Sequence, residues 1–257
     1  MNYSSCIHHF FGVSTCIASY SKIPTQTLQQ ILAIRKTAFI DRKKWDIASY
    51  QGSDYERDEY DDPDAVYIYA QTQGRVSGCV RLRASNKPTL MSGALSFILP
   101  ADNIRPHSHT CWEATRFALS ADKTLAGEVT QANIDARTAA LFMSMIKFAQ
   151  LQNIDTYEIV VDTMMEKILK RSGWTVDRHN TALGSKGETI IYGTLPCTPD
   201  TYNEVLNKNA VQTITAYEQF FMTNRSSDIS HQPFDIDQTH IDRNIPARKQ
   251  MHTELHL

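Results

Sequence analysis

The stretch Trp112-Glu113-Ala114-Thr115-Arg116-Phe117 sets an acid and a guanidinium three residues apart inside an apolar, strand-like run that Leu119 closes. Charges are costly to bury unless they are paired or hydrogen-bonded. One reading is a surface strand with two charges on its outer face. In a regular strand, however, residues three apart point to opposite faces. If Glu113 and Arg116 serve one site, a bulge must lie between them. Such a pair offers a carboxylate that can accept a proton and a guanidinium that can hold it or an anionic ligand.

Three further groups have chemical potential. Arg35 and Phe39 stand one helical turn apart, after Leu28, Ile31 and Leu32 at helical spacing, with Trp45 beyond Arg42-Lys43-Lys44. A plain reading lays Arg35 over the core edge and puts Phe39 in the core. From Asp54 to Asp64 there are seven acids against one base, Arg57. Gly52 and Pro63 mark this stretch as loop. It is either simply solvated or a receptor for a cation, since clustered carboxylates focus negative potential and Trp45 or Tyr60 would add cation–π attraction. The third group is Arg81, on a strand face shared with Ser77 and Cys79.

These residues need elements to hold them. Residues 1–22 read as an irregular N-terminal extension. His8-His9 there is a metal pair only in principle, and a solvated terminus accounts for it. Thr25 is a plausible cap for the helix carrying Arg35. Residues 65–70 and 75–83 read as an antiparallel hairpin joined at Thr72-Gln73-Gly74, with Gly78 marking a bulge or a close backbone approach. Residues 84–111 form a long connection, in which His107 and His109 are left as loop. After the strand at 112–119, Thr130 to Leu151 predicts a helix, Tyr157–Val161 a strand and Met164–Arg171 a short helix ended by Gly173. Trp174–Val176 and Glu188–Gly193 predict two more strands around a Gly184-Ser185-Lys186-Gly187 turn. The order implies an α/β fold: a mixed, mostly antiparallel sheet covered by helices on both faces. The domain runs over 23–200, and 201–257 reads as a helix, within 201–222, followed by a flexible tail with four of the nine histidines.

Composition narrows the class. The chain has 257 residues, 42% hydrophobic and 21% charged, with a formal net charge of −2. That suits a globular core and excludes a general polyanion-binding protein, so no nucleic-acid partner is expected. Five cysteines, with neither metal spacing nor a secretion signal, read as reduced thiols in a cytoplasmic protein. No run is long and apolar enough to span a membrane. Oligomeric state is not legible.

Four blocks, taken in order, resemble the acyl-homoserine-lactone synthases, the LuxI-type autoinducer synthases. That family has an arginine, a phenylalanine four on and a tryptophan six later (Arg35, Phe39, Trp45). It has an acidic Glu-x-Asp-x-Tyr-Asp (Glu56 to Asp61), a Gly-Cys-x-Arg-Leu strand (Gly78 to Leu82) and a Trp-Glu-x-Ser/Thr-Arg-Phe strand (Trp112 to Phe117). The resemblance extends over residues 25–195. The interval from Trp45 to Asp58 is slightly longer than in the family, so Asp54 and Glu56 stand as alternatives in the acidic block.

The resemblance implies a fold like that of the GCN5-related N-acetyltransferases. It also implies a reaction in which S-adenosylmethionine and acyl–acyl carrier protein give acyl-homoserine lactone, methylthioadenosine and free carrier protein. S-adenosylmethionine is then a substrate, and no cofactor or metal is implied. Asp58 and Asp61 would meet its sulfonium and ammonium, with Phe39 and Trp45 as walls, and Arg35 or Arg81 its carboxylate. Glu113 would be the base and Arg116 would hold Glu113 or the ligand. Phe97, Leu141, Met145, Ile159 and Val161 would line the acyl chain, or are ordinary core. Lys167, Lys170 and Arg171 would dock the carrier protein, or simply complement a helix dipole. A rival acyl-CoA-dependent N-acetyltransferase needs a phosphate-cradling glycine loop, which Arg75 to Val80 does not supply. A non-catalytic homologue that keeps the pocket is the other rival.

Overall fold

Among the described residues eight strands form one sheet, in the order Cys6–Phe10, Val13–Ser19, Val66–Thr72, Arg75–Ala84, Cys111–Leu119, Thr156–Asp162, Thr189–Pro196, Asp177–Leu183, which places the charged blocks near its middle. The computed structural model describes residues 6–100 and 109–210. The strands are β1 (Cys6–Phe10), β2 (Val13–Ser19), β3 (Val66–Thr72), β4 (Arg75–Ala84), β5 (Cys111–Leu119), β6 (Thr156–Asp162), β7 (Asp177–Leu183) and β8 (Thr189–Pro196). The helices are α1 (Thr25–Arg35), α2 (Ala136–Leu151), α3 (Thr163–Ser172) and α4 (Pro199–Lys208). Every neighbouring pair is antiparallel except β5–β6. The expected mixed, mostly antiparallel sheet with helices on both faces is the observed one.

Strand alternation sorts the two faces. Val66, Ile68, Val80, Leu82, Trp112 and Ala114 point into a large core with α2, α3 and α4. Tyr67, Tyr69, Val76 and Cys79 point the other way, beneath α1. On that second face Met91, Ile98, Ile190 and Tyr192 form a separate apolar cluster under the connection after β4.

Two irregularities shape the middle of the sheet. β5 and β6 pair in parallel only from Cys111↔Thr156 to Glu113↔Glu158. Beyond that rung β5 stays with β4 and β6 stays with β8, so Ala114–Leu119 and Ile159–Asp162 part into a cleft. Within β5 the register against β4 jumps from Arg81↔Thr115 to Cys79↔Ala118. Arg116 and Phe117 there oppose the single residue Val80, and Arg116 takes φ +58°. This is a β-bulge.

Several expectations are corrected. The N-terminal extension is not irregular. Cys6–Phe10 and Val13–Ser19 form an edge hairpin whose turn, Phe11-Gly12, has both φ angles positive, as a tight two-residue turn requires. Thr15 on β2 bonds Ser144 of α2 at 2.6 Å, and such polar residues on a buried face hide the hydrophobic alternation. Thr25 does not cap α1: Pro24 holds the cap position and no side chain bonds there. The helix expected from Thr130 starts at Ala136, because Asn133 adopts φ +56° and Asp135 caps α2 by accepting from Arg137 N–H at 2.8 Å. Trp174–Val176 is not a strand. Trp174 is a fully buried wedge whose indole N–H donates to Pro196 O at 2.8 Å, and β7 begins only at Asp177.

The expected turns and the glycine at the end of α3 are observed. The hairpin β3–β4 turns at Gln73-Gly74, both with positive φ. A bulge lies in β4, where Ser77 is the extra residue between Val76↔Gln71 and Gly78↔Ala70, and a Cβ on Gly78 would come within 2.6 Å of Leu119 Cδ2, so the close approach is to core rather than to ligand. Gly173 ends α3 at φ +92°. His107 and the tail beyond 210 lie outside the described residues. Among the described residues no helix is long and apolar enough to cross a membrane, and no cluster of ligating side chains could hold a metal.

Candidate active site

The bulge in β5 puts two consecutive side chains, Thr115 and Arg116, on the face of the sheet that carries Arg81 and Glu113. Trp112 and Ala114 before it, and Phe117 and Leu119 after it, all pack on the opposite face. Glu113 and Arg116 therefore share a face despite their spacing. They do not pair with each other. Arg116 Nη2 donates to Asp58 at 2.7 Å and Arg116 Nε to Glu56 at 3.1 Å. The expectation that Arg116 holds Glu113 is replaced by a bond to the acidic loop, whose carboxylates lie nearer.

Those bonds belong to a closed circuit. Arg35 Nε donates to Glu56 at 2.6 Å and Arg35 Nη1 to Asp61 at 2.8 Å. Arg81 Nη1 donates to Asp58 at 2.5 Å and to Asp61 at 2.7 Å. The order Arg35–Glu56–Arg116–Asp58–Arg81–Asp61, back to Arg35, alternates three guanidiniums with three carboxylates. Arg35, Glu56 and Arg81 are fully enclosed, and the Arg116 side chain, 13% exposed, is the most open member. Tyr67 adds a hydroxyl that accepts from Arg35 at 2.7 Å and donates to Asp61. Arg35 does not lie over the core edge; it is walled in. The acidic loop is not a bare negative surface, because three arginines balance its ring carboxylates, Glu56, Asp58 and Asp61.

The ring is assembled by α1, the acidic loop, β4 and β5. α1 runs on past Arg35 as a widened π-helical segment, Lys36–Arg42, ending where Lys43 N–H donates to Ala38 O at 3.1 Å, five residues back. Such widened turns are frequent at functional sites. This segment turns Phe39 inward, where it stacks on Trp45 at 5.3 Å between centroids, with Arg116 over its face at 5.8 Å. β4 supplies Arg81, whose Nε also donates to Thr115 Oγ1 at 3.4 Å. Next to the ring, Arg83 clamps Asp62 and lies 5.7 Å from the Tyr60 ring centroid.

Glu113 sits beside the ring, buried, and accepts from Leu90 N–H at 3.2 Å and Met91 N–H at 2.8 Å. It thereby fastens the connection after β4 to the sheet. Burial raises its carboxyl above the usual value, against the Met91 N–H and Arg81, which pull it down. Burial alone would also raise Asp61. There the Arg35 and Arg81 guanidiniums and the Tyr67 hydroxyl prevail and hold the carboxyl well below its usual value. One buried acid is thus biased toward keeping a proton and another toward charge, the contrast that assigns acid–base roles in active sites.

The expected acyl-chain residues divide. Leu141 and Met145 of α2 and Ile159 and Val161 of β6 lie together on the α2 side, next to the parted strands. Phe97 does not join them. It is 60% exposed on the short turn Ser96–Ile98, whose inward position goes to Ile98 in the cluster on the other face. Lys167, Lys170 and Arg171 are exposed on α3, and Arg171 donates to Asn133 O at 3.2 Å. Glu56, an alternative at the sequence level, is a full ring member, and Tyr67 joins the ring with no motif to mark it. Its signal was a tyrosine alternating with core residues on a central strand.

Comparison with known proteins shows the family and the fold. The model of the family described as autoinducer synthase matches residues 19–205. The chain is similar to an acyl-homoserine-lactone synthase of Agrobacterium fabrum (strain C58), 32% identical over 181 residues, covering 69% of this chain and 82% of that one. Its fold is similar to that of the AHL synthase LasI, with TM-score 0.66, 21% identity and coverage of 78% and 98% of the two chains. It is also similar to BjaI, a CoA-dependent acyl-homoserine lactone synthase solved with SAM and isopentyl-CoA, with TM-score 0.64, 20% identity and coverage of 86% and 100%.

Proposed function

The chain belongs to the autoinducer synthase family and is an acyltransferase of the acyl-homoserine-lactone synthase kind, and from that premise we propose its reaction in detail. An acyl group passes from acyl–acyl carrier protein to the amine of S-adenosylmethionine. The methionine carboxylate then closes onto its own γ-carbon and expels methylthioadenosine. The observation that carries this reading is the closed guanidinium–carboxylate ring with Glu113 beside it.

Each part of the substrate has a counterpart. The Phe39–Trp45 stack forms a wall for the sulfonium and adenosine. Asp58 and Asp61 offer carboxylate acceptors to the ammonium, in positions that Arg35 and Arg81 fix from behind. Arg116, the most open guanidinium, takes the methionine carboxylate. Glu113 accepts the proton that the attacking amine must lose, directly or through a water. The thioester approaches through the cleft between β5 and β6, and its chain runs toward Leu141, Met145, Ile159 and Val161. Lys167, Lys170 and Arg171 meet the acidic carrier protein. S-adenosylmethionine enters as substrate, and no cofactor is required.

The test is direct. Purified protein is supplied with S-adenosylmethionine and, in separate reactions, acyl carrier protein or coenzyme A thioesters of several chain lengths. Extracts are analysed by mass spectrometry. Acyl-homoserine lactone and methylthioadenosine in equal amounts from the carrier-protein reactions are expected. Product only from the coenzyme A reactions would overturn the donor assignment, and no lactone from any donor would overturn the reaction.

A further inference from the structure

Glu113 is not the only acid at its level of the sheet. The last parallel rung joins Glu113 to Glu158 on β6, and residues paired this way point to the same face. Strands lie about 4.8 Å apart, so the two side chains leave the backbone side by side. Both residues are buried. β4 pairs Arg83 with Glu113, and β8 pairs Thr194 with Glu158. A polar row, Arg83–Glu113–Glu158–Thr194, therefore crosses four strands next to an apolar cluster of Met91, Ile190 and Tyr192. The Tyr192 hydroxyl donates to Glu158 Oε1 at 2.7 Å and Ser85 Oγ to Oε2 at 3.4 Å. A second acid at this rung is not what packing alone would select.

We propose that Glu158 is a positioning residue for the reaction, a second carboxyl built beside Glu113 that sets the pH at which Glu113 can act as base. This rests on Glu113 being that base. Two carboxyls in one low-dielectric site do not ionise independently; they release protons as a pair, the second at higher pH. Several groups face the pair. Arg81 and Arg83 come from β4, Tyr60 from the acidic loop and Thr89 with the Leu90 and Met91 N–H groups from the turn. Ser85 and Cys111 lie at the strand ends and Tyr192 comes from β8. From β7, His179 bonds Thr194 and packs on Tyr192. Arg81 draws Glu113 toward charge and Glu158 opposes it. Glu158 accepts from the Tyr192 and Ser85 hydroxyls, and Glu113 is the member that burial raises.

The test is the pH profile of kcat/KM for the full chain with S-adenosylmethionine and its acyl donor. Glu158→Gln is expected to move the acidic limb toward lower pH by about one unit, while Glu158→Asp leaves it in place. Tyr192→Phe removes the hydroxyl that holds the Glu158 carboxyl beside Glu113 and is expected to move the limb the same way, by less. It carries the test alone if Glu158→Gln does not fold. An unmoved limb in either folded variant overturns the proposal. Glu113→Gln separates the premise from it. If that variant keeps the wild-type rate and limb, Glu113 is not the base and the premise fails. If it abolishes activity while Glu158→Gln leaves the limb unmoved, only the tuning role fails.

Discussion

Glu113 and Asp61 are both buried acids, and their neighbours divide them. Glu113 leans toward its neutral form because burial outweighs two backbone donors and Arg81. Glu113→Gln should lower turnover by roughly 10²–10⁴ with little change in the requirement for S-adenosylmethionine, as steady-state kinetics will show. Asp61 is held charged by Arg35 and Arg81. Removing one partner of a buried pair leaves the other charge uncompensated, so Asp61→Asn should cost about 3–5 kcal/mol in urea unfolding. Its folded pKa lies below its unfolded one. Its stabilisation is therefore complete above the usual carboxylate range and is lost as pH falls through that range toward the folded value. Unfolding midpoints from neutral to acid pH should show wild type losing this increment and Asp61→Asn lacking it. The candidate acids were legible as residue types at a spacing. Their partners were not, because Glu56 and Tyr67 find Arg35 only when a helix, a loop and a strand converge.

At the scale of elements, β5 shows how one backbone angle decides a site. Arg116 at φ +58° is what turns its side chain onto the face of Glu113. Glycine adopts that angle without strain, whereas for other residues it costs roughly 1–2 kcal/mol. Arg116→Gly and Arg116→Val both lose the bonds to Glu56 and Asp58, but the glycine variant should be the more stable by about that amount in thermal or urea unfolding. Equal stabilities would mean that the bulge relaxes once the side chain is gone. The need for this bulge was readable from the three-residue spacing of two charges in an apolar strand. The β1–β2 hairpin was not, because Thr15 and Cys16 are buried on opposite faces and blur the alternation. The start of α2 was misplaced because a periodic apolar pattern does not reveal a positive φ at Asn133 or the cap made by Asp135.

Across the whole molecule, the ring and the exposed bases of α3 stand for two kinds of electrostatics. Exposed charges act at a distance, are weak singly and are screened by salt. Charge reversal at Lys167, Lys170 and Arg171 should reduce kcat/KM with acyl carrier protein, most at low ionic strength, and leave the reaction with a coenzyme A thioester unaltered. An equal loss with both donors would place those residues elsewhere in the mechanism. The ring obeys other rules. Each of its six members has two neighbours, so cutting it at one point leaves an open chain, and a second cut meets a structure already relaxed. Double substitutions should therefore cost less than the sum of their single effects. The same topology says why four short sequence blocks, each commonplace alone, are informative together. Residue 35 on a helix, 56 to 61 in a loop, 81 and 116 on adjacent strands are bound by one charge balance, and a change in any block is felt as a debt of charge in the others. What reads along the chain as four separate signatures is, in space, one indivisible object.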